Sequence, residues 1–481
     1  MVLDIAMVKR LLFVEPPKDY WFLMGEYLPP PMALLVLAAY VERELPGIEV
    51  GILDCQAQKR GWNGMVKGME EFGPDVVAAS GFTCNAYGCA RVAEEAKRID
   101  PQITTVMGGQ HFSALAEESL RDFPEIDLIV RGEGELTLVD LLGKLRRGAG
   151  PEEVAGLSFR SNGSIRHNPA RPLIRDLDSL PYPAYHLVRD NLPMYHFSMM
   201  AGKNSRYLIM EGGRGCSHRC SFCSQWRHWN GECRTKSPKR IADEMEFLHD
   251  EFGGRFIWLT DDNFDYAGRG NGIYEEMRGR PFTQDVSWFF QARTDDVADH
   301  PDLVRRLREV GNTWILMGVE AGTQERLDEF GKDENVGDAS RAIKVLKSND
   351  VFSQAMMVIG SRQDTHRSIE ATREYVLSLD SDLTIFTVLT PFPGTSVHEM
   401  AERNGWIEDG NYAHYDMVHA TMSTETLTRQ EVQGELLDCY RSIYGSVARN
   451  LKGIFSDNAI KKRAYRHMAG KGVIGKLRRL V

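Results

Sequence analysis

Residues 211–226 read EGGRGCSHRCSFCSQW, directly after the apolar run RYLIM of residues 206–210. Cys216, Cys220 and Cys223 therefore lie in a loop that leaves a predicted strand, with three and then two residues between them. Thiolates so spaced reach three corners of one four-iron four-sulfur cube and leave the fourth iron open to a substrate or cofactor. The alternative is a closed zinc knuckle with Cys233 as fourth ligand. Zinc ligands more often come as two short cysteine pairs, and Cys233 is a single thiol ten residues beyond Cys223. The iron-sulfur reading is favoured.

Working outward from this loop, short apolar runs alternate with helical stretches from Arg206 to Thr395: RYLIM, RFIWLTDDNF, VSWFFQART, WILMGVEAG, FSQAMMVIG and LTIFTVLTPFPGT. About six strand-helix units predict a partial or full (β/α) barrel with its active residues at the strand ends. The same alternation runs from Lys9 to Gly148, through LLFVEP, IEVGILD, DVVAASG, ITTVMGG and IDLIVRGEGE. It predicts a doubly wound, Rossmann-like sheet, in which ligands collect at the carboxyl ends of the strands. Gly81, Gly108, Gly109, Gly132 and Gly134 all fall at such ends. Between Pro151 and Ser205 the pattern breaks into a connector with room for one hairpin. After Ser423 the chain reads as helical and then basic, from Lys461 to Arg479, a pattern that usually marks a solvated face.

The 481 residues exceed what one core usually serves, so at least two domains are expected. A net charge of −10 argues against a nucleic-acid surface over the whole molecule. No secretory signal is read at the N-terminus. The longest apolar run, Met32–Val41, is shorter than the roughly 20 residues a bilayer requires, so no transmembrane segment is expected. Eight cysteines in a chain of this length do not form a disulfide framework, which points to a reducing, cytoplasmic setting. Cys84 and Cys89 read as small buried apolar residues rather than a working thiol pair.

The CxxxCxxC loop with Phe222 before its last cysteine resembles the signature of the radical S-adenosylmethionine (SAM) superfamily. LTDDNF, QARTD, GVEAGTQERL and TPFPGT, in that order, resemble its cobalamin-binding branch, as do PPPMALLVLAAYVE, GGQHFSALAEESL and VRGEGE nearer the N-terminus. The resemblance covers residues 10 to 420. It implies an α/β chain in four segments: a cobalamin-binding Rossmann-like domain at 1–150, a connector at 151–205, a radical SAM barrel at 206–422 and a helical segment at 423–481.

For the site, the resemblance implies one 4Fe-4S cluster on Cys216, Cys220 and Cys223, whose open iron chelates SAM and cleaves it reductively to a 5'-deoxyadenosyl radical. Phe222 would pack beside the adenine, and Asp262, Arg293, Glu320 and Gly360 would face the rest of the cofactor. On the residues alone, Arg293 and Asp262 could instead form a salt bridge between strand ends, and Gly360 could be only a turn. Glu320, directly after an apolar strand, is the strongest of the four. Cobalamin would lie against Ser80, Gly81, Thr83, Asn85, Gly108, Gly109, His111, Gly132 and Glu133, although ordinary doubly wound turns would look similar and His111 could be a simple loop residue. The DxHxxG motif that puts histidine under cobalt is absent; DTHRSI at Asp364 lacks the glycine and falls in the barrel. A lower face without histidine is expected.

The implied reaction is methylation of an unactivated carbon, with an electron donor such as ferredoxin or flavodoxin. The layout is similar to the class B enzymes that methylate glutamine or arginine of methyl-coenzyme M reductase, which implies a protein or peptide substrate. Oxidation or ring rearrangement without methyl transfer, and a non-catalytic cobalamin or iron-sulfur sensor, are the alternatives.

Overall fold

The computed structural model describes residues 8–17, 27–200, 205–445 and 452–471. The chain divides into two compact units, one mainly Pro30–Met194 and the other mainly Tyr195–Trp226 with Gly231 onward.

The first unit is a seven-stranded sheet in the order β2-β1-β3-β4-β5-β6-β7, from β1 (Arg10–Glu15), β2 (Glu49–Asp54), β3 (Val76–Ser80), β4 (Thr104–Gly108), β5 (Leu128–Val130), β6 (Leu157–Ser161) and β7 (Ser164–His167). The first five strands are parallel. Their near-continuous apolar sequences fit burial on both faces: Leu11, Phe13, Val14, Val76 and Val77 are all buried. The hairpin anticipated in the connector is β6–β7, and it extends this sheet in antiparallel fashion. Helices α1 (Met32–Glu44), α2 (Trp62–Phe72), α3 (Ala86–Ile99) and α4 (Glu135–Leu145) connect the strands. In α3, Cys89, Val92, Ala93 and Ala96 recur at helical spacing and are buried. Cys89 behaves as the apolar filler its setting suggested.

The second unit is a six-stranded, wholly parallel sheet in sequence order: β8 (Tyr207–Met210), β9 (Phe256–Leu259), β10 (Ser287–Arg293), β11 (Asn312–Glu320), β12 (Phe352–Ile359) and β13 (Leu383–Val388). This is the partial barrel anticipated from the strand-helix alternation. Its core is aromatic: Phe289 stacks on Trp314 with centroids 3.9 Å apart, and on Trp258 at 5.3 Å. Helices α5 (Pro238–Phe252), α6 (Tyr266–Met277), α7 (Val336–Ser348) and α8 (His366–Leu379) alternate with the strands. Helix α5 begins where Ser237 Oγ accepts the Arg240 N–H, with Pro238 in its first turn, and ends at Gly253, where φ is +68°.

The C-terminal helices protect the last strand. From α9 (Arg429–Tyr444), the Tyr440 hydroxyl bonds both the N–H and the carbonyl of Phe386, and the Tyr444 hydroxyl does the same at Thr384. Four backbone groups of an edge strand are thereby satisfied. Helix α10 (Ala459–Lys471) carries the described part of the basic stretch, and it is not simply a solvated face. Lys461 pairs with Asp382 at 3.0 Å, Tyr465 Oη donates to the same carboxylate, and Ile460, Ala464 and Met468 are buried. Residues 472–479 of that stretch lie outside the described residues. No helix among the described residues is long and apolar enough to cross a membrane.

Candidate active site

Consecutive carboxylates after β9 hold the start of the cysteine loop. Asp261 Oδ1 accepts the N–H groups of Gly212 (2.6 Å) and Gly213 (2.9 Å), and Asp262 Oδ2 accepts that of Gly215 (2.9 Å). Asp261 is itself paired with buried Arg269, which also donates to the Gly212 carbonyl. Glycine is required at 212, where an added Cβ would lie 2.9 Å from the Asp261 carboxylate. The far side of the loop rests on residues 329–334: Ser221 N–H donates to the Phe330 carbonyl at 2.8 Å, and Phe222 meets the Phe330 ring edge-on at 5.1 Å. Phe222 also joins an apolar cluster with Leu389, Val397 and Met422.

The three thiols lie within electrostatic reach of one another, and Cys216 and Cys220 also sense Arg293 and Lys332. Burial raises all three above the ordinary thiol value, Cys223 to about 12, while the two cations pull Cys216 and Cys220 back. Three half-buried thiols in one cation-flanked loop suit a cube that takes one thiolate per iron. Cys233 is exposed.

Arg293 and Asp262 do not pair. The guanidinium is spent on Asp295 (3.1 and 2.9 Å) and on the carbonyls of Lys332 (3.0 Å) and Asp333 (2.8 Å). Burial opposes its charge, but Asp295 and Glu334 outweigh that and raise its pKa. Glu320 ends β11 at a register shift with φ +63°, a left-handed conformation rare for a non-glycine residue. Its Oε1 accepts from Lys332 Nζ at 3.2 Å. Gly360 has φ +80° and donates its N–H to Asp364 at 2.8 Å, which makes it a turn held by the aspartate of DTHRSI. Asp364 also binds Ser361 N–H and Arg326, so that sequence is structural here. Thus Cys216, Cys220, Cys223, Asp262, Arg293 and Glu320 come together. Lys332, Glu334 and Asp261 belong with them and were not anticipated.

In the first unit, the strand ends of β3 and β4 interlock. Gly81 N–H donates to the Gly108 carbonyl (2.9 Å), and His111 N–H to that of Gly81 (3.2 Å). Gly109, at φ +92°, has no room for a side chain: a Cβ would lie 2.7 Å from Gly81 N and O and 2.8 Å from Ser80 Oγ. Thr83 and Asn85 form a short turn with both side chains buried, and among the described residues Asn85 Oδ1 accepts no hydrogen bond. Gly132 N–H donates to Ser113, while Glu133 accepts from Ile174 N–H at 2.6 Å. His111 is 1% exposed, and burial lowers its pKa to about 4, so it is neutral at physiological pH. A glycine-lined strand edge with an unsatisfied buried amide oxygen fits the close approach of an amide-bearing corrinoid.

Comparison with known proteins agrees with both units. Residues 25–142 match the B12 binding domain family, and residues 210–376 match the radical SAM superfamily. An uncharacterized methyltransferase of Pyrococcus horikoshii is 30% identical over 95% of this chain and 98% of its own. The chain belongs to the cobalamin-binding radical SAM enzymes. The anaerobic magnesium-protoporphyrin IX monomethyl ester cyclase of Cereibacter sphaeroides is 32% identical over 78% of this chain and 61% of its own. The solved structure of the radical SAM methyltransferase TsrM from Kitasatospora setae, with cobalamin and a 4Fe-4S cluster bound, shares the fold at a TM-score of 0.73, covering 99% of this chain and all of that one at 17% identity. The family's cofactors are a 4Fe-4S cluster, SAM and cobalamin.

Proposed function

We propose that this enzyme transfers a methyl group from SAM, by way of cobalamin, to an unactivated carbon. Segment 1–150 carries the corrinoid and 206–422 the cluster and SAM; within 151–205, β6 and β7 complete the first sheet, and α9 in 423–481 covers the last strand of the second. The observation that carries the reading is the cation-flanked trio of Cys216, Cys220 and Cys223 beside a strained Glu320, in a chain whose other unit ends in a glycine-lined cradle. When bound, the cofactors supply a carbon-centred radical and a transferable methyl group.

The chain's own residues bind and orient. Cys216, Cys220 and Cys223 ligate three irons, while Asp261 and Asp262 fix the loop backbone so that those thiols keep their spacing. Glu320, at the carboxyl end of β11, offers its carboxylate to the SAM hydroxyl or ammonium donors. Arg293 braces residues 332–333 beside it, and Gly360 shapes the next strand end. Phe222 closes the apolar side. Ser80, Gly81, Thr83, Asn85, Gly108, Gly109, Gly132 and Glu133 wall the corrinoid, and neutral His111 sits behind them.

For the acceptor, the resemblance in sequence implies a protein or peptide side chain such as glutamine. The cyclase relative, whose name gives a tetrapyrrole ester, favours a small organic acceptor instead and also keeps ring closure without methyl transfer as a second reading. The reductant is a low-potential ferredoxin or flavodoxin of the cytoplasm. Anaerobic reconstituted enzyme with dithionite and methyl-labelled SAM tests the proposal. We expect 5'-deoxyadenosine together with label in a product carbon. 5'-Deoxyadenosine without labelled product favours the cyclase type of chemistry, and neither product leaves a sensor.

A further inference from the structure

Residues 330–334, FGKDE, form a buckle that touches the cysteine loop and the ends of β10 and β11. The Phe330 carbonyl receives Ser221 N–H from the cysteine loop. The Lys332 and Asp333 carbonyls receive Arg293 from the end of β10. At its centre stands Lys332, whose side chain is only 7% exposed. Its Nζ lies 3.2 Å from Glu320 Oε1 and 3.7 Å from Glu334 Oε1. Thr294 Oγ1 fixes Glu334 through its other oxygen at 2.7 Å. A Cβ on Gly318 would lie 2.9 Å from Lys332 Nζ and closer still to Glu320 Oε1. The bare backbone at 318 leaves room for the ammonium and carboxylate to meet.

We propose that Lys332 is a positioning residue: the buried ammonium holds Glu320 in its left-handed conformation for SAM and, as one of two buried cations beside the cysteine loop, raises the reduction potential of the cluster. This rests on the iron-sulfur and SAM reading above. Two physical arguments support it. A residue with φ +63° keeps that backbone only where its surroundings over-determine it, and besides its pairing with Met357 the Glu320 side chain is held by Lys332. A cube gains negative charge on reduction, so a nearby buried cation stabilises the reduced form, and net local charge is one of the levers that set such potentials. Burial works against the ammonium, but Glu320 and Glu334 outweigh it and Lys332 stays charged.

The test uses full-length, anaerobically reconstituted protein. Iron and sulfide content, the midpoint potential by EPR-monitored titration and SAM affinity are measured for the wild type, K332M, K332R and G318A. In K332M we expect unchanged iron content, a lower midpoint potential and SAM binding weakened at least tenfold. K332R should return the potential to the wild-type value. G318A keeps the charge but crowds both side-chain ends, so we expect SAM affinity to fall while the potential moves little. K332M with wild-type potential and SAM affinity overturns the proposal, as does, if K332M fails to fold, a G318A protein that binds SAM normally. Wild-type protein with no reducible cluster would sink the underlying reading instead, whatever the variants do.

Discussion

Asp262 Oδ2 accepts the backbone N–H of Gly215 at 2.9 Å, one residue before the first cluster cysteine. Its neighbour Asp261 holds the Gly212 and Gly213 N–H groups and also closes a buried ion pair with Arg269. The two adjacent carboxylates should therefore fail differently. Asp262→Ala removes a hydrogen bond to a carboxylate, worth about 1.5–3 kcal/mol, and we expect a modest loss of stability with a clear loss of iron per chain. Asp261→Ala strands a buried guanidinium, which costs about 3–5 kcal/mol, and should lower the urea midpoint as well. Iron analysis alongside urea unfolding checks both. An Asp262→Ala protein with a full complement of iron would show that the loop stands without that bond.

Much of this site was legible because its signals are local. Three thiols in one loop, glycine at strand ends and a carboxylate after an apolar run all follow from short stretches of sequence. The buckle at 330–334 was hidden for a different reason. It acts chiefly through backbone carbonyls that accept from Ser221 and Arg293, and a carbonyl has no side-chain signature. The sequence reading has Arg293 facing the cofactor, whereas its donors go to Asp295 and to two carbonyls supplied by a turn about 40 residues away. Lys332 gave no motif because its partner Glu320 lies twelve residues back, across a helix. The sheet order was clearer than the ends of the units, since the hairpin Leu157–His167 carries no apolar run long enough to mark it as part of the first sheet.

The glycines of the cradle are not equivalent. Gly109 at φ +92° faces backbone 2.7 Å from any added Cβ, whereas Gly132 at φ +72° faces open space. Gly132→Ala should cost only the conformational term, about 1–2 kcal/mol. Gly109→Ala must also push the β3 and β4 ends apart, and we expect a larger loss of stability and no retained corrinoid. Thermal unfolding and the visible absorbance of bound cobalamin report the two effects. Equal behaviour of the two variants would remove the geometric basis for placing the cradle at Gly109.

Asn85 Oδ1 is buried with no hydrogen-bond partner among the described residues. Replacing an unsatisfied buried polar group with an apolar one is often nearly neutral or stabilising, so Asn85→Ala should leave the stability of the cobalamin-free protein essentially unchanged. If that oxygen instead receives an amide of the corrinoid, the same change should weaken cobalamin binding about tenfold, or about 1.4 kcal/mol. The informative result is the split between the two measurements. A loss of apo stability with unchanged corrinoid affinity would assign Asn85 to the fold alone.

His111 provides a pH test with a definite sign. Burial lowers its pKa from 6.5 to about 4, so between those values the unfolded chain binds a proton that the folded one refuses. Stability from this group is fully present above about pH 6.5 and falls as the pH drops toward 4, with a limiting slope of about 1.4 kcal/mol per pH unit. At pH 5 the deficit should be about 2 kcal/mol. His111→Gln removes the linkage, so the difference in unfolding free energy between pH 7.5 and pH 5 should shrink by that amount relative to the wild type. Carbon-13 NMR of the imidazole provides the direct check, since the His111 resonance should keep its neutral shift through pH 5. An ordinary midpoint near 6.5 would mean that the ring reaches water, and the cobalamin-free strand edge would then be more open than the interlocked turns at Gly81 and Gly109 allow.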